Sequence, residues 1–301
     1  MLLLTLSMFW IGSGDIPPYF VGFVQERTLF SREEPIRMAI RLGNQSESPL
    51  KARKFPDLFG NLTLKRGEEV FHPVPEAKSS DLYKRLPALE INAHRDFRMD
   101  LRKIFSQLNE PGEYQLFYAD PIATNQSLAF KIVDQPNPNL DEPFVLHTSM
   151  GDITIKLSPK DAPNHCRNFA LLVQEGFYKD MIFHRVVRGQ IIQTGDPLGT
   201  GAGGSGFPLM LEDSPFLRHK AYNVGMARAQ DRDSASSQFY ILAQDIPELN
   251  NYYTVFASVI QGQEVVDAIS MVGTTGPNGN PPEKPFEDVK LINIEQLAPA
   301  P

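Results

Sequence analysis

The stretch Phe183-His184-Arg185-Val186-Val187-Arg188-Gly189-Gln190-Ile191-Ile192-Gln193-Thr194-Gly195-Asp196 decides how the second half of this chain folds. It lies among short strand-like runs and glycine-rich loops. An arginine after a strand is ordinarily a surface charge. A histidine beside it suggests a hydrolase, but no Gly-x-Ser-x-Gly elbow accompanies His184, which leaves that residue a packing or hydrogen-bonding role. Two further stretches belong with the first. One is Gly225-Met226-Ala227-Arg228-Ala229 with Ser234-Ala235-Ser236-Ser237-Gln238-Phe239-Tyr240-Ile241, and the other covers residues 249–256. The glycine run from Gly199 to Gly206 lacks the Lys-Ser/Thr of a phosphate-binding loop and reads as a surface loop.

Outward from these stretches the pattern stays regular. Apolar runs at 144–148 and 153–157 flank Ser149-Met150-Gly151-Asp152, which predicts a hairpin. A helix follows, with Asp161 as its cap, Pro163 in its first turn and Gly176 at its end. Ala162, Cys166, Phe169, Ala170 and Val173 recur at helical spacing on one face, so Cys166 reads as a small core residue. The spacing predicts a second helix over 264–271.

Together the three stretches resemble the cyclophilin family, and the resemblance covers residues 144–297. It implies an antiparallel β-barrel with two helices and a peptidyl-prolyl cis/trans isomerase activity. The chemistry fits the residues. An X-Pro amide resists rotation by about 18–20 kcal/mol because its nitrogen lone pair is conjugated with the carbonyl. Twisting the bond localises that pair, and a fixed cation near the nitrogen stabilises the twisted state over both planar ones. By resemblance Arg185 is the catalytic cation, and Gln193 binds substrate backbone and orients it. Phe183, Gln190, Ile191, Ala227, Arg228, Gln238, Tyr240, Leu249 and Tyr253 fall at substrate-binding positions. No metal or cofactor is implied.

Four positions depart from the family pattern. Tyr240 stands where phenylalanine is usual, and Tyr253 where many members carry histidine; both keep an aromatic wall. Gln190 replaces a pocket phenylalanine, a loss worth about 1–3 kcal/mol of proline binding. Glu248 stands where a tryptophan marks strong cyclosporin binding, which implies weak sensitivity to that ligand.

The first half has a different texture. Ile36, Met38, Ile40 and Leu42 alternate with Arg37, Ala39 and Arg41, which predicts a strand with one buried and one solvated face. The alternation returns in Phe97, Met99 and Leu101, in Tyr114, Leu116 and Tyr118, and in Leu128, Phe130 and Ile132. Turn signals such as Gly43-Asn44 and Pro111-Gly112 separate the runs, which makes an all-β sandwich of residues 15–133. The turn Asn109-Glu110-Pro111-Gly112-Glu113-Tyr114 resembles the late strands of bacterial immunoglobulin-like domains. The fold class is therefore mostly β: an Ig-like β-sandwich, a proline-rich linker at 134–143, the barrel at 144–297 and a disordered tail at 298–301. Residues 1–14 fit either a secretory signal without its basic start or a first strand, which favours an extracytoplasmic location over the cytoplasm.

The 301 residues suffice for two cores, and 42% hydrophobic with 22% charged residues is ordinary for globular domains. A net charge of -7 argues against a nucleic-acid partner. One cysteine excludes an internal disulfide, and no run reaches transmembrane length. The expected partners are proline-containing polypeptide clients, with no ligand indicated for the sandwich. The alternative is a non-catalytic module that binds proline peptides with the groove Gln190 has altered.

Overall fold

The computed structural model describes residues 17–298 apart from 78, 80–82, 84, 85 and 124. The expected signal or strand at 1–14 lies outside the described residues, as does the expected tail beyond Ala298. The chain divides into two compact units, Met1–Asp134 and Gln135–Pro301.

The first unit has two sheets. One contains β1 (Tyr19–Val24), β3 (Arg37–Asn44) and β6 (His94–Asp100) in the order β1-β3-β6. The other runs β2-β8-β7-β4-β5, built from β2 (Leu29–Ser31), β4 (Leu62–Arg66), β5 (Glu69–Phe71), β7 (Gly112–Tyr118) and β8 (Gln126–Val133). Val21, Ile40 and Leu42 from the first sheet share one apolar cluster with Leu64, Leu116 and Phe130 from the second. Pairing is antiparallel except between β2 and β8.

The period-two runs fall in β3, β6, β7 and β8, except that Ile36 precedes β3 and Leu101 opens a short 3-10 turn after β6; β3 also departs from the expected solvated face. Ala39 and Arg41 are buried. β3 is the central strand of its sheet, and Arg41 lies opposite Asp96 in the register, where its guanidinium donates to both carboxylate oxygens at 2.6 and 2.7 Å. A cross-strand ion pair of this kind lets an arginine sit on a covered face.

The second unit holds nine antiparallel strands in one curled, barrel-like sheet. They are β9 (Phe144–Thr148), β10 (Gly151–Leu157), β11 (Met181–Ile182), β12 (Arg185–Val187), β13 (Ile191–Thr194), β14 (Asn223–Met226), β15 (Phe239–Leu242), β16 (Val255–Gln261) and β17 (Lys290–Gln296). The order is β11-β17-β9-β10-β16-β14-β15-β13-β12. The first hairpin, β9–β10, turns through Ser149 and Met150 as expected. Two helices accompany the sheet: α1 (Pro163–Gln174) and α2 (Gln263–Ser270). Phe169 on α1 packs against the rings of Phe144, Tyr178, Phe239 and Phe256, so the helix closes the core through one aromatic residue.

The cap of α1 differs from expectation. Ala162 is the N-cap and makes no side-chain cap, while Asp161 accepts a hydrogen bond from Ser214 Oγ at 2.6 Å. The first-turn N–H groups of Asn164 and His165 donate instead to the Glu212 carboxylate at 3.0 and 2.9 Å. The helix end is satisfied from a distant loop, where a negative charge also favours the helix dipole. Residues 134–143 have no regular structure, and their end is tied to β17: Leu297 N donates to Pro143 O at 2.9 Å.

Candidate active site

Arg185 opens β12 and lies opposite Gln193 of β13 in the register. The tight turn between the strands includes Gly189 with φ 68°, a left-handed conformation natural to glycine. This hairpin sets the two side chains next to each other, with Arg185 NH1 donating to Gln193 Oε1 at 3.4 Å. The Gln193 amide is used in both directions, since its Nε2 donates to Gln238 Oε1 at 2.9 Å. Gln238 Nε2 in turn donates to the carbonyls of Gly201 and Gly203 at 2.9 and 2.7 Å.

The same glycine loop is held from within by Asp196. Its carboxylate accepts from the backbone N–H groups of Leu198, Thr200, Gly201 and Gly203 at 2.6–3.2 Å. Burial would raise this carboxyl, but the ring of N–H donors outweighs it and holds the group below the ordinary aspartate range. The glycine run is thus a braced wall of the site, and no phosphate cradle is needed to account for it.

A groove of about 310 Å³ opens beside Arg185. Ile191, Tyr240, Leu249 and Tyr253 supply its apolar and aromatic surface, with Ala227 and Arg228 along one side. Gln238 lines the adjoining hollow with Ala227, Arg228 and the glycine loop. Tyr240 is the floor. Its hydroxyl lies 2.8 Å from His219 Nε2, and its ring meets Tyr253 edge-on at 6.1 Å. Burial, aided by Tyr253, pushes the Tyr240 phenol up, and burial pushes the His219 imidazole down against the opposing Asn250 contact. Both groups are therefore neutral near pH 7. Gly225 makes room for the floor: a Cβ there would fall 2.3 Å from Tyr240 Cζ. Arg228 lies over the Tyr253 ring at 4.7 Å and donates to the Tyr252 carbonyl at 2.9 Å, which fixes the rim.

Nine of the eleven expected site residues meet in these two hollows. Phe183 and Gln190 do not. Phe183 is 1% exposed because its segment follows the β11–β17 pairing and its N–H bonds to Val289 O, turning the ring into the core. Gln190 is exposed at the end of the β12–β13 turn, outside the groove lining. Sequence reasoning missed Pro281 and Pro282, which also line the groove, and Glu283, whose carboxylate stands 2.6 Å from Arg185 NH2. These three arrive from a loop about a hundred residues downstream, and nothing in their own sequence ties them to Arg185.

A family model described as cyclophilin type peptidyl-prolyl cis-trans isomerase/CLD matches residues 143–296, more than half of the chain. The chain belongs to this family. The cyclophilin match extends to whole relatives: a peptidyl-prolyl cis-trans isomerase-like 1 of Aspergillus fumigatus is 38% identical over 154 residues, 50% of this chain and 92% of that protein. Longer cyclophilins match as well. Peptidyl-prolyl cis-trans isomerase CYP71 of Arabidopsis thaliana is 31% identical over 268 residues, 88% of this chain. The mouse peptidylprolyl isomerase domain and WD repeat-containing protein 1 is 44% identical over 155 residues, 50% of this chain. The chain spans 39% and 23% of those two proteins. Among solved structures, a Cryptosporidium parvum cyclophilin type isomerase is 29% identical and covers 53% of this chain and 99% of its own, with a TM-score of 0.48.

Proposed function

We propose that this cyclophilin catalyses cis/trans isomerisation of X-Pro bonds in polypeptide segments, with Arg185 as the cation that meets the proline nitrogen. The observation that carries the reading is the placement of Arg185 beside a groove of about 310 Å³ in which Ile191, Tyr240, Leu249 and Tyr253 form an apolar and aromatic cup, with Gln193 accepting from its guanidinium. The ring enters the cup over Tyr240, and the twisted imide then places its localised lone pair toward the guanidinium. Arginine keeps its charge at any working pH, so the stabilisation is built before the substrate arrives. Ala227, Arg228 and Gln238 hold the segment on the proline's N-terminal side. Gln190 lies outside the groove lining, while Tyr240 is its aromatic floor and Pro281 and Pro282 add to its wall.

The test is exchange NMR on a proline tetrapeptide with the full chain. Wild type accelerates exchange, and Arg185→Ala loses most of the acceleration, about 10²-fold or more on the scale of an electrostatic donor removed from a prepared site. Equal rates for the two chains overturn the reading. The alternative, a non-catalytic binder of proline segments, predicts peptide shifts without exchange broadening in the same experiment.

For the first unit we read an Ig-like sandwich over residues 15–133, joined by residues 134–143 to the isomerase at 144–297. Its support is the shared core of two sheets, the parallel β2–β8 pair, and Tyr114 near the start of β7. The Tyr114 hydroxyl donates to Glu110 O at 2.8 Å, as in the tyrosine corner of such domains.

A further inference from the structure

We propose that Glu283, carried by the loop between α2 and β17, is the positioning residue that fixes the direction of the Arg185 guanidinium. The proposal rests on the isomerase reading for its kinetic consequence, but the contact itself stands on geometry. Arg185 has one long bond to Gln193 at 3.4 Å and one short ion pair to Glu283 at 2.6 Å. The arginine side chain is 41% exposed, so the single long bond would leave it several rotamers in water. The Glu283 side chain is only 15% exposed, and its short contact to NH2 leaves one of those rotamers preferred.

The loop is built to deliver this carboxylate. Glu283 N donates to Gly276 O at 2.8 Å, and Glu283 O accepts from Val186 N at 2.8 Å. Val186 follows Arg185 in β12, so the acid is fastened to the strand that carries its partner. Glu283 also has φ 57°, a left-handed conformation that glycine would adopt without cost. A side chain kept at such a position, with its carboxylate on the proposed catalytic cation, is the pattern of strain held at a working site. The remainder of the loop is braced: Thr275 N donates to Lys284 O at 2.9 Å, Phe286 N to Gly273 O at 3.0 Å, and Thr275 Oγ1 to Pro281 O at 2.7 Å. Its Pro281 and Pro282 line the groove that Arg185 borders. One loop therefore supplies both a wall and the aim of the cation.

A carboxylate on a cation also tempers its charge, but only at the NH2 end; the opposite edge still faces Gln193 and the groove. Alignment is the larger effect, because a misaimed donor loses a bond made in the transition state.

The test uses the full chain with Glu283→Ala, Glu283→Gln and Arg185→Lys. The Arg185 Nε–Hε signal, identified by its loss in Arg185→Lys, shifts or broadens in Glu283→Ala. In exchange kinetics Glu283→Ala lowers kcat by about 5- to 50-fold with KM nearly unchanged. Glu283→Gln keeps an acceptor oxygen at the same reach and recovers most of the rate. A Glu283→Ala chain that melts as wild type does, with the same arginine signal and the same kcat, overturns the proposal. So does a Glu283→Gln chain that falls as far as Glu283→Ala. If wild type is no faster than Arg185→Lys or Arg185→Ala, the isomerase reading fails, and the arginine signal alone then decides whether Glu283 aims the side chain.

Discussion

At the scale of single residues, the site depends on space as much as on charge. Tyr240 reaches its buried partner His219 only because residue 225 has no side chain; a Cβ there would sit 2.3 Å from the ring carbon and 2.4 Å from the hydroxyl. Gly225→Ala must push the ring upward into the cup or away from His219. We expect a loss of about 1–3 kcal/mol in stability, the usual range for overpacking a core. Urea denaturation reads it, and an unchanged midpoint with unchanged slope would show that the floor yields freely. Arg185 and Gln193 were legible from the sequence through the resemblance their shared motif carries, and the β12–β13 hairpin brings them together. The floor's partner was not. His219 meets Tyr240 across 21 residues, and no period or motif marks the pair.

At the scale of elements, the strands and helices followed from local pattern, and the exceptions share one cause. Period-two alternation placed β3, β6, β7 and β8, and helical spacing placed α1. What alternation could not show was Arg41 buried opposite Asp96, a partner 55 residues away. Nor could it show that α1 takes its N-terminal acceptor from Glu212, 47 residues beyond His165. Burial would raise the Glu212 carboxyl, but the His165 ring at 2.7 Å and the two helix N–H groups hold it below the ordinary range. Glu212→Ala removes the carboxylate that accepts from those N–H groups, and we expect a cost of about 1–2 kcal/mol, as for a lost N-cap. Thermal or urea unfolding of the chain measures it. Glu212→Gln keeps an acceptor and should lose less.

At the scale of the whole molecule, acid is the condition that separates the groups. Burial holds the His184 and His219 imidazoles below the ordinary value of 6.5, with Asp196 and Asn250 respectively opposing. Unfolding frees both rings to bind protons near pH 6.5, so stability present above that pH is lost as pH falls below it. His147 works the other way: the hydrogen bond to Asp152 and the contact to Glu295 raise it, so its contribution is complete below its unfolded value. In a His147→Asn chain, which removes the opposing group, the urea midpoint should be lower at about pH 5 than at about pH 6.5. Ring-carbon NMR titration should place the His184 and His219 midpoints below the ordinary imidazole value. No helix of the described residues is long and apolar enough to cross a membrane. The two glutamines beside the cleft carry one last implication. Each gives its oxygen one way and its nitrogen the other, so turning over costs the first amide two bonds and the second three. Whatever displaces the main chain at Gly201 or Gly203 must tug on that row, and the tug arrives at the guanidinium.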